Sequence, residues 1–251
     1  MKSNQLINSP DSSPETRLCI IPARGGSKRI PGKNIKEFCG KPLLAYSIEA
    51  AIDSELFSKI IVSTDSSEIA KVAEHYGVVV PHFRSEVNSS DFATIYDVLK
   101  EVLTRCEIDG FRHTSILCLL ATAPFVTPAD LREGYKTLTR SSAKVVCPVV
   151  PFESPIQRAL RITRNQLEMI EGAYRNTRTQ DLETAYFDAG QWYWIDYKDG
   201  LLPENLLLGP TEPKIISPEK AQDIDTIQDW HIAEMKYKNF SSELRTVDDS
   251  L

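Results

Sequence analysis

The 251 residues hold no Cys-x-x-Cys pair and no His-Glu-x-x-His. No apolar run approaches the roughly 20 residues of a membrane-spanning helix. Zinc spacing is therefore missing, and the four histidines are scattered. The cysteines are Cys19, Cys39, Cys106, Cys118 and Cys147, an odd number. Cys19, Cys118 and Cys147 lie in apolar runs, where a thiol acts as a small hydrophobe. This argues against a disulfide framework and for a reducing compartment, the cytoplasm. Excess positive charge is also lacking, since the net charge of −6 speaks against general nucleic-acid binding. Residues 1–16 are polar and have no signal-peptide core, so they read as a mobile tail. There is no internal repeat.

What is present is concentrated near the start. A short apolar strand over 18–21 runs into Pro22-Ala23-Arg24-Gly25-Gly26-Ser27-Lys28-Arg29-Ile30-Pro31-Gly32-Lys33-Asn34. Residues 24–33 carry four cations and no acid. Glycines allow close backbone approach to a ligand, and successive N–H groups form an anion nest. The loop reads as a nucleoside-triphosphate site, against the alternative of a solvated basic loop. It is not a P-loop, because five residues separate Gly26 from Gly32-Lys33 and Asn34 stands where a Ser or Thr would hold Mg²⁺. Nor is it the dinucleotide fingerprint G-x-G-x-x-G.

Strand and helix patterns alternate, which predicts an α/β fold with a mainly parallel sheet. Pro42 opens a helix with Leu44, Ile48, Ala51 and Ile52 on one face. A strand is expected over 59–63. Asp65 and Glu68 read as a capping box for a helix ending near Gly77. Further strands are expected over 78–80, 115–120 and 144–150, with a helix over 94–105. Thr127-Pro128-Ala129-Asp130 is a helix start. One domain spans 17–240, followed by a tail over 241–251. Residues 151–185 read as an excursion from the core, a dimerisation lobe. The chain returns over 186–195 and closes with a helix over 226–238. Ligands of such sheets bind beyond the carboxyl ends of the strands.

Outside the loop, Asp223-Ile224-Asp225-Thr226 puts two carboxylates on one face if extended. That suits Mg²⁺, which takes one or two protein carboxylates plus phosphate oxygens; the alternative is a cap on the following helix. Arg84 is either a phosphate clamp or a surface arginine. Ser90, Asp91 and Thr94 are polar groups of which at least one caps a helix.

Ile21, Pro22, Ala23, Arg24, Gly26, Ser27, Lys28, Ile30, Lys33 and Asn34 match the pattern I-P-A-R-x-G-S-K-x-I-x-x-K-N. In this the loop resembles the cytidylyltransferases that activate sialic-acid-like sugars. Further blocks are Asn176-Thr177-Arg178-Thr179-Gln180-Asp181-Leu182, Pro155-Ile156-Gln157-Arg158-Ala159-Leu160 and Asp188-Ala189-Gly190-Gln191-Trp192-Tyr193-Trp194. These resemble the pseudaminate branch. So does Ala121-Thr122-Ala123-Pro124-Phe125, where neuraminate enzymes carry L-Q-P-T-S-P-L and this chain has Leu120 at the glutamine.

The resemblance implies a Rossmann-like nucleotidyltransferase fold, a homodimer, and transfer of CMP from CTP to the anomeric hydroxyl of pseudaminic acid. Alternatives are the same reaction on N-acetylneuraminic or legionaminic acid, or a regulator that binds nucleotide without catalysis. The implied nucleotide set is Ala23, Arg24, Gly25, Gly26, Ser27, Lys28, Lys33, Asn34, Arg84 and Thr94. Arg24, Lys28, Lys33 and Asp225 are assigned to catalysis, and Asp223 and Asp225 to Mg²⁺. Thr122, Gln157, Arg158, Arg178, Gln180, Gln191 and Tyr193 are assigned to the sugar. The run 192–194 is read chiefly as core strand. No clear general base is evident, and Asp225 or a metal-bound water is left as proton acceptor.

Overall fold

The computed structural model describes residues 16–248, and for 241–248 the backbone alone. The expected N-terminal tail, apart from Thr16, lies outside the described residues.

β1 (Arg17–Pro22) sets the architecture. Cys19 and Ile21 face one layer, Leu18 and Ile20 the other, and all four are fully buried. A strand covered on both faces reads as an unbroken apolar run. After β1 come the ribbon β2 (Glu37–Phe38) and β3 (Lys41–Pro42), then α1 (Leu43–Asp53), β4 (Lys59–Ser63) and α2 (Ser67–His75). Short α3 (Glu86–Ser89), α4 (Ile95–Ile108), β5 (Ser115–Leu119), α5 (Pro128–Arg140) and β6 (Val145–Pro151) follow. A hairpin of β7 (Leu160–Thr163) and β8 (Gln166–Met169) stands apart from the main sheet. β9 (Tyr186–Asp188), β10 (Trp192–Asp196), β11 (Thr211–Ile215) and α6 (Ile227–Asp248) complete the chain.

The central sheet has the order β11-β6-β10-β5-β1-β4, with β9 added on β6. β1 is parallel to β4 and β5, and β6 to β11, while β10 runs antiparallel between β5 and β6. The chain leaves β1 for β4 on one side and crosses back to β5 on the other. That reversal is a switch in strand order at the carboxyl ends of β1 and β5, the place where such sheets bind ligands. α1, α2 and α5 cover one face through Leu44, Ile48, Ile69, Ala73, Leu131 and Leu138. α4 covers the other with Leu99, Leu103 and Cys106. Trp192 and Trp194 are buried strand residues, as expected of that run. Gly134 on α5 lets the helix approach them, since a Cβ there would meet Trp192 Cη2 at 2.7 Å and Trp194 Cδ1 at 2.8 Å.

Several boundaries differ from the sequence reading. Ile52 faces solvent, one position past the buried stripe of α1. Residues 78–80 contribute only an isolated bridge, Val79 to Ile61. β11 had no periodic signal, because its pairing with β6 leaves it half exposed at the sheet edge. α6 continues to Asp248, through the stretch read as a tail. Ser66, not Asp65, caps α2 by accepting from Ile69 N–H. Asp65 is thereby released for another partner.

Candidate active site

The loop after β1 is held from three directions. Asp65 Oδ1 accepts the Gly25 N–H at 2.7 Å, which ties the loop to the end of β4. A Cβ on Gly25 would lie 3.0 Å from Ser66 Cβ, so this approach leaves little room for a side chain. Buried Asn34 donates to Arg24 O at 2.9 Å, closing the loop on itself. Gly32 takes φ +63°, a left-handed turn that glycine accepts without strain. Lys33 follows it, and its Nζ donates to Ile224 O at 2.6 Å.

The four loop cations meet two acids. Asp91 bridges Arg24, whose Nη1 donates at 2.9 Å, and Lys28. The Asp91 carboxyl is held below its usual range, first by the Lys28 hydrogen bond and charge. Asp225 bridges Arg29 at 2.8 Å and Lys33 at 3.4 Å. Arg29, a loop cation to which the sequence assigns no role, lies beside the candidate metal segment.

The segment 223–225 alternates as its spacing requires. Ile224 is fully buried against Phe38 and Trp230, which turns both flanking acids away from that core. The cap of α6 is Thr226, whose hydroxyl accepts from Asp229 N–H while Asp229 Oδ2 accepts from Thr226 N–H at 2.7 Å. Neither Asp223 nor Asp225 supplies the cap side chain. Burial and the neighbouring Asp225 charge push the Asp223 carboxyl up. Two close, hard oxygen donors beside a cationic loop fit Mg²⁺ completed by phosphate oxygens.

A cavity of about 420 Å³ opens beside Asp223. Phe152, Glu153, Phe187, Asp188, Gln222 and Lys236 are among its lining groups. None of these six was assigned a role from sequence, although Asp188 lies inside a matched block. Thr122 is half-buried in the turn after β5, at the same edge of the sheet.

Other candidates are engaged elsewhere. Arg84 donates from Nε and Nη2 to Ser63 at 3.1 and 2.5 Å, a strap across the end of β4, and burial lowers its pKa. Thr94 forms a reciprocal capping box with Asp97 at the start of α4. Ser90 O accepts from Arg24 Nη1 at 3.1 Å. Gln191 is buried and its Nε2 donates to Lys220 O at 2.5 Å. Tyr193 is buried beneath the cavity and donates to Asp188. In the excursion, Gln157 donates to Glu183 O at 3.0 Å, Arg158 to Thr179 at 3.0 Å, and Arg178 to Asp181 at 2.7 and 3.1 Å. Gln180 is exposed on a turn. These four do not line the cavity.

A family model described as cytidylyltransferase matches residues 18–204, from β1 past the end of β10. The chain belongs to the cytidylyltransferase family. Pseudaminic acid cytidylyltransferase of Campylobacter jejuni is 39% identical over 223 residues, covering 88% of this chain and 96% of that protein. CMP-N,N'-diacetyllegionaminic acid synthase of Legionella pneumophila is 34% identical, covering 86% and 94%. Among solved structures, CMP:2-keto-3-deoxy-manno-octonic acid synthetase complexed with CTP superposes with a TM-score of 0.65 at 16% identity. It covers 90% of this chain and 99% of that one, and at this identity the likeness concerns the fold. In this cytidylyltransferase Arg29 and Lys33 of the loop meet Asp225, and Asp223 borders the cavity.

Proposed function

We propose that this cytidylyltransferase transfers CMP from CTP to the anomeric hydroxyl of pseudaminic acid, releasing pyrophosphate. The observation that carries the reaction is the four-cation loop, two of whose cations, Arg29 and Lys33, meet Asp225, with a sugar-sized cavity opening beside Asp223. The choice of sugar draws support from the 39% identity to the Campylobacter jejuni enzyme. It also draws support from Leu120, which packs against the core beneath the site and brings no amide to it.

Arg24 and Lys28 exchange Asp91 for the triphosphate, and Lys33 holds the loop against residue 224. The sugar hydroxyl attacks the α-phosphorus, a new P–O bond forms, and the α–β bridge bond breaks toward pyrophosphate. Positioning two reactants and offsetting charge on the in-line transition state supply the rate. Mg²⁺, held by Asp223 and Asp225, would screen the phosphate oxygens. The hydroxyl proton leaves to Asp225 or solvent.

The working form is a homodimer built through the excursion. The β7–β8 hairpin pairs Leu160 with Met169 and Ile162 with Leu167, yet Leu160, Ile162, Leu167 and Ile170 are exposed by 55%, 75%, 69% and 56%. A two-stranded hairpin is marginal alone in water, and a second copy would cover it. The same placement would carry Arg158 and Arg178 toward the partner's sugar. Among the described residues no helix is long and apolar enough to cross a membrane. All five cysteines are free, with Cys118 and Cys147 pushed to about 12 by burial, which suits the cytoplasm.

Pyrophosphate release from CTP and Mg²⁺ with pseudaminic, legionaminic and N-acetylneuraminic acids tests the reading. Pseudaminic acid should give the highest kcat/KM. A higher value for another acid reassigns the sugar, and no release with any acid supports the non-catalytic alternative.

A further inference from the structure

Besides Asp223, the cavity is lined by two carboxylates that the reaction does not use, Glu153 and Asp188, and Asp188 is the one held in place by defined partners. Asp188 closes β9, paired with Val149 of β6. Its Oδ1 accepts the Gly190 N–H at 3.0 Å, and its Oδ2 accepts the Tyr193 hydroxyl. Gly190 takes φ +61°, which bends the chain between β9 and β10 and turns its N–H back to Asp188. Tyr193 is 4% exposed and rooted in the core beside Cys118 and Cys147. Burial first, then the Asp188 charge, raises the phenol pKa, so Tyr193 stays a donor throughout the working range.

This arrangement is costly for a turn alone. A glycine turn needs no buried tyrosine to complete it. Tyr193 and Gly190 each satisfy one lone pair of a different oxygen, which leaves acceptor capacity on both. Asp188 lines the cavity with that capacity. The neighbouring surface is apolar: the Phe152 and Phe187 rings lie 5.0 Å apart, each about two-fifths exposed. Acceptor and apolar wall together match an acylamido substituent, with its N–H toward a carboxylate and its methyl toward rings.

We propose that Asp188 is a specificity-determining residue that accepts a hydrogen bond from an acylamido N–H of the acceptor sugar, with Tyr193 as the residue that positions it. The proposal rests on the cytidylyltransferase reading above. It also orients the sugar. Asp188, Glu153 and Asp223 make one side of the cavity acidic, so the substrate's own carboxylate turns away from them. Lys236 is the cation on the same cavity. It donates to Pro218 O at 3.1 Å and Ala221 O at 2.8 Å, which leaves one of its three protons for that carboxylate.

The test is a kinetic split in Asp188→Asn and Tyr193→Phe, using whichever nonulosonic acid the wild type turns over best. Asparagine is nearly isosteric, keeps one acceptor for Gly190, and substitutes an NH₂ donor for an acceptor. Asp188→Asn should raise the sugar KM at least about tenfold, as expected for a hydrogen bond to a charged group, while the CTP KM changes less than twofold. Tyr193→Phe should shift the sugar KM in the same sense by a smaller factor. CTP binding by calorimetry with Mg²⁺ and no sugar should match the wild type in both. Equal rises in both KM values, or an unchanged sugar KM in Asp188→Asn at wild-type melting temperature, overturn the assignment. A failed sugar panel with the wild type would instead strike the proposed function.

Discussion

Asp91 holds Arg24 in an ion pair at 2.9 Å across 67 positions of sequence, and the same carboxylate takes Lys28. The acid stands where the loop's cations would receive phosphate. On the proposed function, nucleotide entry breaks this pair. Asp91→Asn removes the competing charge and should lower the KM for CTP by a small factor, on the order of a few-fold, because exposed pairs are weak. The gain should shrink in high salt, which screens such pairs. Steady-state kinetics at two ionic strengths measure both effects. A raised KM would mean that Asp91 helps to bind nucleotide.

Lys28 and Lys33 differ in what else they do. Lys28 is exposed and its one described partner is Asp91, so Lys28→Ala should lower kcat/KM for CTP without moving the melting temperature. Lys33 is 17% exposed and ties residue 224 to the loop. Lys33→Ala should lower kcat/KM by about tenfold or more, since a charge-assisted hydrogen bond contributes about 1.5–3 kcal/mol. It should also lower the melting temperature. Wild-type kcat/KM in both variants would remove the loop from the reaction.

The acid pair separates charge from capping. Thr226 and Asp229 already cap α6, so Asp225→Asn should spare the fold while activity falls sharply and the Mg²⁺ requirement rises. Titrating Mg²⁺ against turnover reads this directly. Unchanged Mg²⁺ dependence in both Asp223→Asn and Asp225→Asn would move the metal elsewhere.

Asp223 also has a stability signature. Its folded pKa is raised, so the folded state binds the proton more tightly than the unfolded state. Stability from this group is present below the unfolded carboxylate pKa near 3.9 and lost as pH rises through the folded value. Asp223→Asn should therefore melt above the wild type at pH 7 while being less active. The difference should narrow toward pH 4. A lower melting temperature at pH 7 would contradict the assigned repulsion.

Gly134→Ala tests the packing of α5 on the sheet. The added methyl would fall 2.7–2.8 Å from the Trp192 and Trp194 rings, which cannot withdraw from a filled core. Overpacking of this kind costs about 1–3 kcal/mol, and chemical denaturation should show it.

By itself the sequence determined the layers and the glycine-rich, cationic loop after β1. Leu18, Cys19, Ile20 and Ile21 form a strand buried on both faces because every side chain is apolar, and Thr127-Pro128 starts a helix because cap and proline act locally. The Asp-Ile-Asp alternation likewise survives, since one buried isoleucine dictates where its neighbours point. Only the tertiary structure decided which partner each polar group found. Asp65 looked like a helix cap and became the anchor of Gly25; Arg84 became a strap on Ser63; Tyr193 turned inward to hold Asp188. These pairings join residues 5 to 40 positions apart. The cavity walls come from still more distant segments, near residues 152, 188, 222 and 236. Local pattern reports which way a side chain faces. What it meets there depends on how strands and loops far apart in the chain converge at one edge of the sheet.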